Sequence, residues 1–317
     1  MRTRILAAML IVGFTLGMLI GAHVPVTAKG ETGVDEPVLD WTFKTTGTLF
    51  SAPTLYDLNG DGMAEVVVAS EDDHLYCLGP KGGVVWQVPL LYNEFELASI
   101  LSSPAVADVD GDGAVEIVVG SDDGLAVIDH NGRPQWIYTG SATRYISSPA
   151  VADIDGDGTV DIVAGSVGDY MVKRFTPDGE LVWKYATGYG DFDAAVLSSP
   201  TLFDIDGKGG MEVLTATHNS VVLALDTSGE LVWHFKTGHV NVASPSIGDL
   251  DANGIWEVVS GSDDHSFYSV NTRGEKSWSL ETKGPIVSSP AVGDMDGDGL
   301  EETVVGSDDG RIYCLDS

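Results

Sequence analysis

Six acidic segments recur along the chain, and five of them follow the pattern Asp-x-Asp/Asn-x-Asp/Asn-Gly-x-x-Glu/Asp. Side-chain oxygens at positions 1, 3 and 5 of such a tight loop can converge on one point. The glycine at position 6 permits the sharp turn, position 7 can offer its carbonyl, and the carboxylate at position 9 can close the shell. Calcium takes about six to eight hard oxygen ligands of this kind. The pattern therefore predicts calcium sites.

The same five segments predict about five bound calcium ions. Magnesium is disfavoured because it keeps several waters and needs stricter geometry. Soft metals are excluded because no His or Cys lies near the loops. The alternative is an ordinary Asx/Gly-rich turn, although the clustered carboxylates would repel each other without a cation. The predicted ligands are Asp57, Asn59, Asp61, Glu65, Asp108, Asp110, Asp112, Glu116, Asp153, Asp155, Asp157, Asp161, Asp249, Asp251, Asn253, Glu257, Asp294, Asp296, Asp298 and Glu302.

The fourth segment breaks the pattern. It begins at Asp204, continues through Asp206 and ends at Glu212, but Lys208 stands where a ligand belongs. An ammonium group at this position can neutralise the carboxylates in place of a metal. We therefore predict that the fourth loop binds no calcium.

Each acidic segment lies four residues after a proline, and the prolines are 45 or 51 residues apart. Within one such unit, short apolar runs alternate with Gly/Asp and Asn-Gly turns, which indicates four short antiparallel strands. Repeats of this length and content are typical of β-propeller blades. The predicted fold is all-β, a six-bladed β-propeller with four strands per blade. The marker prolines are Pro53, Pro104, Pro149, Pro200, Pro245 and Pro290.

A tryptophan recurs on the predicted outer strand of most units. This repetition favours a role in packing between blades over a role in binding a cofactor or a sugar. The last unit ends after its third strand, while residues 37–47 match the tryptophan-bearing strand at 231–238. We therefore predict that an amino-terminal outer strand completes the last blade and closes the ring. A longer chain would allow seven or eight blades. The recurring tryptophans are Trp86, Trp136, Trp183, Trp233 and Trp278.

The amino-terminal end has the composition of an export signal. Arg2 and Arg4 precede an apolar run of 16 residues from Ile5 to Ile20, which is shorter than the roughly 20 residues of a spanning helix. We predict a signal peptide at 1–28, with a retained amino-terminal anchor as the alternative, a linker at 29–36 and the propeller at 37–317. The protein is then secreted or held at the cell surface, with no transmembrane domain after signal cleavage.

The formal net charge of −32 disfavours binding to nucleic acid or to anionic membranes. The two cysteines, Cys77 and Cys314, occupy equivalent strand positions in the first and last units. Equivalent positions on neighbouring blades are generally too far apart for a disulfide. We therefore predict two buried free thiols.

Units such as 102–124 resemble the FG-GAP (VCBS-type) repeats of integrin α propellers and of many exported microbial proteins. The second half of a unit, such as 223–238, is similar to the tryptophan-bearing repeat of pyrroloquinoline-quinone-type propellers. That group includes outer-membrane assembly lipoprotein propellers, which are not enzymes. The resemblance covers 37–317. The six units depart from the seven blades of integrins and the usual eight of quinone enzymes.

These features favour a calcium-binding module for protein interaction or adhesion. We expect it to act as a monomer, with an extracellular or envelope protein or a glycan as its partner. Two long connections, 91–97 and 189–193, carry aromatic residues on the face opposite the acidic loops. Acidic and His-bearing turns lie on the same face, which is therefore the candidate partner surface. The alternatives are an envelope scaffold, or a quinone-dependent or polysaccharide-acting enzyme. Catalysis is disfavoured because the unrepeated residues form no evident catalytic set and no adjacent cysteines are present.

Overall fold

The computed structural model describes residues 39–93, 96–97, 100–140, 144–188 and 194–316. All regular structure in these residues is β-strand. The strands are β1 (Thr54–Tyr56), β2 (Glu65–Ala69), β3 (His74–Leu78), β4 (Val84–Pro89), β5 (Leu91–Asn93), β6 (Glu96–Leu97), β7 (Ala105–Ala107), β8 (Glu116–Gly120), β9 (Leu125–Asp129), β10 (Pro134–Tyr138), β11 (Ala150–Ala152), β12 (Asp161–Gly165), β13 (Met171–Phe175), β14 (Leu181–Ala186), β15 (Thr201–Phe203), β16 (Glu212–Thr217), β17 (Val221–Leu225), β18 (Leu231–Lys236), β19 (Ser246–Gly248), β20 (Glu257–Gly261), β21 (Ser266–Val270), β22 (Lys276–Glu281), β23 (Ala291–Gly293), β24 (Glu302–Ser307) and β25 (Arg311–Leu315).

These strands form six repeated antiparallel sheets, which we call blades 1 to 6. Blades 1 to 5 have four strands each, β1–β4, β7–β10, β11–β14, β15–β18 and β19–β22, and blade 6 has the three strands β23–β25. A small hairpin of β5 and β6 follows blade 1. The predicted all-β repeat architecture is confirmed. Within the described ranges, no helix is long and apolar enough to cross a membrane.

The core lies between neighbouring blades. In β8, Ile117, Val118 and Val119 are all fully buried, because both faces of the strand are covered. One hydrophobic cluster joins Leu75 of blade 1 to Ile117 and Ile128 of blade 2. β8 therefore reads as a continuous apolar run after its first residue, as β2 does in blade 1.

The outer-strand tryptophans join each blade to the next. The Trp183 ring lies over Gly229, and its Nε1 donates to the Thr227 carbonyl at 2.9 Å. Gly229 has φ of +82°, and a Cβ there would lie 2.6 Å from the ring, so the turn needs a residue without a side chain. Trp86 packs on Gly132 in the same way. The prediction of inter-blade packing is confirmed.

A second link between blades uses the serine before each marker proline. The Ser103 hydroxyl of blade 2 accepts the Ala52 N–H of blade 1 at 2.9 Å, and the same bond recurs along the chain up to Ser289 in blade 6. The equivalent position in blade 1 is Ala52, which has no hydroxyl. A link of this kind from blade 6 back to blade 1 is therefore not available.

The flank of blade 6 also differs from the inner junctions. Trp41 stacks over Gly82 of blade 1 as the other tryptophans do, and its Nε1 donates to the Pro80 carbonyl at 3.2 Å. However, residues 39–50 form no strand, and Ile312 is 79 % exposed where its counterpart Leu75 is buried. Closure of the ring by an amino-terminal strand paired to β25 stays a prediction.

The exposed edge of β25 overturns one prediction about the cysteines. Both thiols are free, and Cys77 is buried as expected, but Cys314 is exposed. The reason is that β25 pairs only with β24 and no strand of the described chain pairs with its outer edge, so its side chains lack the cover that β3 has. The predicted signal peptide (1–28), the linker (29–36) and the connection 189–193 lie outside the described residues, and only the backbone of β5 and β6 is described in 91–97.

Candidate metal centre

Each acidic loop connects the first strand of a blade to the second. The position-9 carboxylate begins the second strand, where Glu116 is buried. Its Oε2 accepts the Val109 N–H at 2.9 Å, and Glu257 accepts the Leu250 N–H in the same way at 3.1 Å. One oxygen of this carboxylate is thereby held in place at the base of the loop.

Local hydrogen bonds curl the rest of the loop, as the second loop illustrates. Asp108 accepts the Gly111 N–H at 2.9 Å and the Gly113 N–H at 3.1 Å. Asp112 accepts the Ala114 N–H at 2.8 Å. Gly113 has φ of +92°, a left-handed conformation that favours glycine. These Asx-type bonds are short-range, so the motif itself encodes the loop.

The curled loops bring carboxylates together. In five loops the oxygens of positions 1, 3 and 9 lie within 4.8 Å of one another. Burial raises the pKa of Glu116, Glu212 and Glu257, because the ionised form loses solvation, and the neighbouring aspartates act in the same direction. The converging sets are Asp108, Asp110 and Glu116; Asp153, Asp155 and Asp161; Asp204, Asp206 and Glu212; Asp249, Asp251 and Glu257; and Asp294, Asp296 and Glu302.

The sixth loop offers the most direct sign that a cation fits. Glu302 is buried, and its Oε1 has no hydrogen-bond partner. A buried anionic oxygen without a partner is costly, and a hard cation among the three carboxylates would satisfy it. The second and fifth loops have the same converging set of two aspartates and one glutamate. These three loops therefore fit calcium on their own residues.

The first loop has an amide in place of one carboxylate. The Asn59 oxygen accepts the Asp61 N–H at 2.8 Å, and its Nδ2 donates to Glu65 Oε1 at 3.3 Å. An amide can turn to present its oxygen instead. The first loop is absent from the carboxylate sets for this reason, and its predicted role as a calcium site stays a prediction.

The fourth loop keeps its three carboxylates together despite Lys208. The Lys208 side chain is 82 % exposed and contacts Asp206 at 2.6 Å. Asp204, Asp206 and Glu212 still converge. Lys208 thus neutralises one carboxylate from the solvent side, and the expectation that it keeps calcium out stays a prediction.

The third loop contains a residue that the sequence interpretation missed. Arg174 of β13 donates from Nε to Asp161 Oδ1 at 2.8 Å and from Nη2 to Asp161 Oδ2 at 2.8 Å. The same Nη2 reaches Asp155 Oδ2 at 2.5 Å, and Nη1 donates to the Thr227 carbonyl at 3.0 Å. The Arg174 side chain is only 8 % exposed. A guanidinium therefore lies between two predicted calcium ligands.

The sequence does contain a signal for this contact. Arg174 pairs with Val163 in the register of blade 3. At the matching position the other blades have small or apolar residues. A buried charged residue in a strand core points to a local partner. The counterparts are Cys77, Val127, Ala224, Ser269 and Cys314.

The electrostatics agree with this geometry. The hydrogen bond from Arg174 lowers the pKa of Asp155. Burial raises the pKa of Asp161, and the hydrogen bonds from Arg174 act in the opposite direction. Burial lowers the pKa of Arg174, but the hydrogen bonds to Asp161 and Asp155 outweigh it and raise that pKa. Arg174 thus stays charged beside the carboxylates.

On the opposite face, the acidic turns are held by bonds within their own blades. Asp264 accepts the Tyr268 hydroxyl at 2.6 Å, and Asp309 accepts the Tyr313 hydroxyl at 2.6 Å. In blade 3, Lys173 takes the place of the tyrosine and donates to Asp169 at 2.5 Å. These acidic tips, predicted as a partner surface, have structural roles in their own turns.

A cleft of about 690 Å³ opens between blades 3 and 4 on that side. Its polar lining includes His218, Asn219, His234 and Lys236, together with Tyr185 from blade 3. The residues named as lining it include no carboxylate, which is unusual in so acidic a chain. The sequence interpretation noted His218 only as a turn residue.

Comparisons with known proteins agree with the repeat architecture. A profile of the FG-GAP-like repeat matches residues 57–119 and 108–164, and a profile of the lambda-carrageenase β-propeller domain matches 201–284. A search of curated proteins found no significant match. The resemblance to FG-GAP-like repeats in a β-propeller, inferred from the sequence, is confirmed.

Solved structures share the fold at low sequence identity. BamB from Moraxella catarrhalis superposes with a TM-score of 0.62 at 16 % identity, over 88 % of this chain and 73 % of BamB. The V. cholerae biofilm matrix protein Bap1 gives 0.62 at 18 %, over 88 % and 62 %. BBS1N, solved in complex with ARL6DN, gives 0.58 at 16 %, over 86 % and 79 %. Quinohemoprotein alcohol dehydrogenase from Comamonas testosteroni gives a TM-score of only 0.47 at 14 % identity, over 77 % of this chain and 61 % of the dehydrogenase.

Proposed function

We propose that this chain is an exported, calcium-stabilised β-propeller that presents a rigid binding surface at or outside the cell surface. The observation that carries the calcium assignment is the buried, unpartnered Glu302 Oε1 within a converging carboxylate set. The repetition of that geometry in other blades supports it. The likeness to Bap1, described as a biofilm matrix protein, supports an extracellular location.

Calcium would be held by the carboxylates and amides of the first, second, fifth and sixth loops. In each loop these ligands come from the segment between two strands and from the first residue of the second strand. The ion supplies positive charge that lets the buried carboxylates ionise together. Its role is to stabilise the blade, and we propose binding rather than catalysis as the activity.

Thermal unfolding of the purified protein in excess calcium and in excess chelator tests this proposal. A ligand that binds only the folded state stabilises it by about 2.7 kcal/mol per site at about a hundredfold excess over its Kd. Several sites should therefore produce a large drop in Tm on chelation. Magnesium in place of calcium is the control and should restore little of the loss. An unchanged Tm in chelator would refute the calcium assignment.

We also propose that residues 37–47 close the ring by pairing with β25, supported by the packing of Trp41 on Gly82. In blade 4 the residues matching Tyr313 and Thr42 face each other across the last strand pair. A Thr42→Cys, Tyr313→Cys double variant should then form an intrachain disulfide on oxidation. A failure to form it under oxidising conditions would argue against closure.

A second candidate function is binding of an anionic glycan in the cleft between blades 3 and 4. Two observations favour it. The carbohydrate-enzyme propeller profile matches residues 201–284, which include the blade 4 side of this cleft. His218, His234 and Lys236 line the cleft. The Lys236 ammonium, the imidazole N–H donors of the two histidines and the Tyr185 ring suit a sulfated or carboxylated sugar. With no carboxylate among the named lining residues, the cleft favours binding over glycoside hydrolysis.

Sedimentation with a sulfated and a neutral galactan tests the glycan candidate. We expect retention on the sulfated polymer, reduced several-fold by Lys236→Ala and by high salt. Lys184→Ala is the matched control, because Lys184 is an exposed lysine on the outer strand of blade 3 outside the cleft. Equal loss with both variants, or equal binding to the neutral polymer, would rule out the cleft as the site.

A further inference from the structure

We propose that the third acidic loop is a metal-independent copy of the calcium loop, in which the Arg174 guanidinium takes the place of the ion. The inference deepens the proposed function, since it concerns which of the repeated loops bind calcium. It also replaces the earlier expectation that Asp153, Asp155, Asp157 and Asp161 form a calcium site.

The first step is the position of the charge. Arg174 makes a two-point contact with Asp161 and a further contact with Asp155, at 2.5–2.8 Å. In the other converging loops, the residues at positions 3 and 9 would face the ion. Asp155 and Asp161 are the same two positions of the third loop. Arg174 therefore bonds to carboxylate oxygens of two of the three residues that would hold calcium in the third loop.

The second step is that the guanidinium cannot easily be displaced. Its fourth contact, from Nη1 to the Thr227 carbonyl at 3.0 Å, fixes it to blade 4. Its side chain is 8 % exposed, so moving aside would leave a buried cation without partners. A planar guanidinium also matches a carboxylate in two-point geometry better than an ammonium does. A calcium ion in the same loop would meet a fixed positive charge.

The third step is that the rest of the loop is unchanged. Asp153 accepts the Gly156 N–H at 2.8 Å and the Gly158 N–H at 2.9 Å, as Asp108 does with its own glycines in the second loop. The third loop thus has the fold of a calcium loop and an internal cation. Blade 3 should then keep its loop ordered when calcium is removed.

Exchange of one residue between blades tests the inference. The counterpart of Arg174 in blade 2 is Val127. Bound calcium is counted by equilibrium dialysis with the metal alone, for the wild type, Arg174→Val and Val127→Arg. We expect Arg174→Val to bind one calcium more than the wild type, and Val127→Arg to bind one fewer.

A direct variant of the loop adds a control that leaves Arg174 in place. Asp155→Ala, which removes the position-3 oxygens, should not change the number of calcium ions bound by the wild type, but it should remove the extra ion from the Arg174→Val background. Circular dichroism in calcium checks that each variant is folded. If Val127→Arg does not fold, the calcium counts of Arg174→Val and Asp155→Ala still test the inference.

The outcomes separate this inference from the proposed function. If the wild type binds no calcium, the calcium-stabilised function is wrong, but a calcium ion gained by Arg174→Val still supports the inference. If folded Arg174→Val binds the same number as the wild type, the inference is overturned. A calcium ion lost from the wild type on Asp155→Ala substitution overturns it as well.

Discussion

The third and fourth loops both contain a basic residue, but the two residues neutralise their loops in different ways. Lys208 belongs to the fourth loop itself, is 82 % exposed and contacts one carboxylate. Arg174 comes from a strand outside the third loop, is 8 % exposed and contacts two carboxylates. A basic residue inside a loop motif can therefore lie at its rim, whereas a residue outside the motif can occupy its centre.

The difference follows from the geometry of the blade. Position 5 of the loop is at the exposed tip, so a long side chain there extends into solvent. The position of Arg174 on β13 lies beside β12, whose first residue is the buried Asp161. Exposed ion pairs contribute little, and buried pairs are costly to break. The two loops thus offer a direct contrast within one molecule.

The largest expected effect is on stability without calcium. Arg174→Val leaves Asp161 buried without its partner and should lower the free energy of unfolding in chelator by about 3 kcal/mol. Lys208→Ala should leave it unchanged within error, because the pair is exposed. Urea unfolding of both variants measures this. Equal destabilisation by the two substitutions would show that Arg174 and Lys208 do not differ in their contribution to stability.

A smaller effect is expected from completing the fourth loop. Lys208→Asp restores the position-5 ligand beside Asp204, Asp206 and Glu212. The variant should lose stability in chelator, because another negative charge joins the set, and gain about 2.7 kcal/mol from calcium at about a hundredfold excess over Kd. Calorimetric titration against Lys208→Ala measures the added site. If Lys208→Ala binds the ion equally well, position 5 is not a ligand.

The smallest effect is on the pH dependence of the calcium response. Burial raises the pKa of Glu116 and Glu257 above the ordinary value of a glutamate side chain. In chelator, these groups destabilise the fold above their folded pKa, and this penalty is relieved as the pH falls through it. Calcium needs the ionised form. The difference in Tm between calcium and chelator should therefore narrow from about pH 7 to about pH 5.

The third loop should behave differently over the same range. The hydrogen bond from Arg174 lowers the pKa of Asp155 below 3.8, so its stabilisation is present above the unfolded pKa and is lost only in stronger acid. In Arg174→Val, the calcium-dependent part of Tm should become larger and more sensitive to pH than in the wild type. If the calcium-dependent part of Tm varied with pH identically in the wild type and in Arg174→Val, Arg174 would not be what distinguishes the third loop.

The repeat pattern was enough to predict the sheets and the loops. Turn residues, strand length and the recurring proline are local features, and each blade repeats them. The clustering of carboxylates was also predictable, because Asx bonds between residues two to five apart curl each loop. The prediction that Cys314 is buried was wrong. It assumed a fourth strand on the outer edge of β25, and no described strand pairs there.

The acidic motif accounts for the shape of each loop, because the hydrogen bonds that curl the loop join residues close in the chain. The motif does not determine whether the loop binds a metal ion or a basic side chain. Arg174 lies 13 residues from Asp161 and 53 residues from Thr227, the carbonyl it also contacts. Strand pairing and the packing of blade 3 on blade 4 bring these groups together. Electrostatic partners at that separation depend on the folded arrangement, since side-chain position in a sheet is defined by register and by the neighbouring blade.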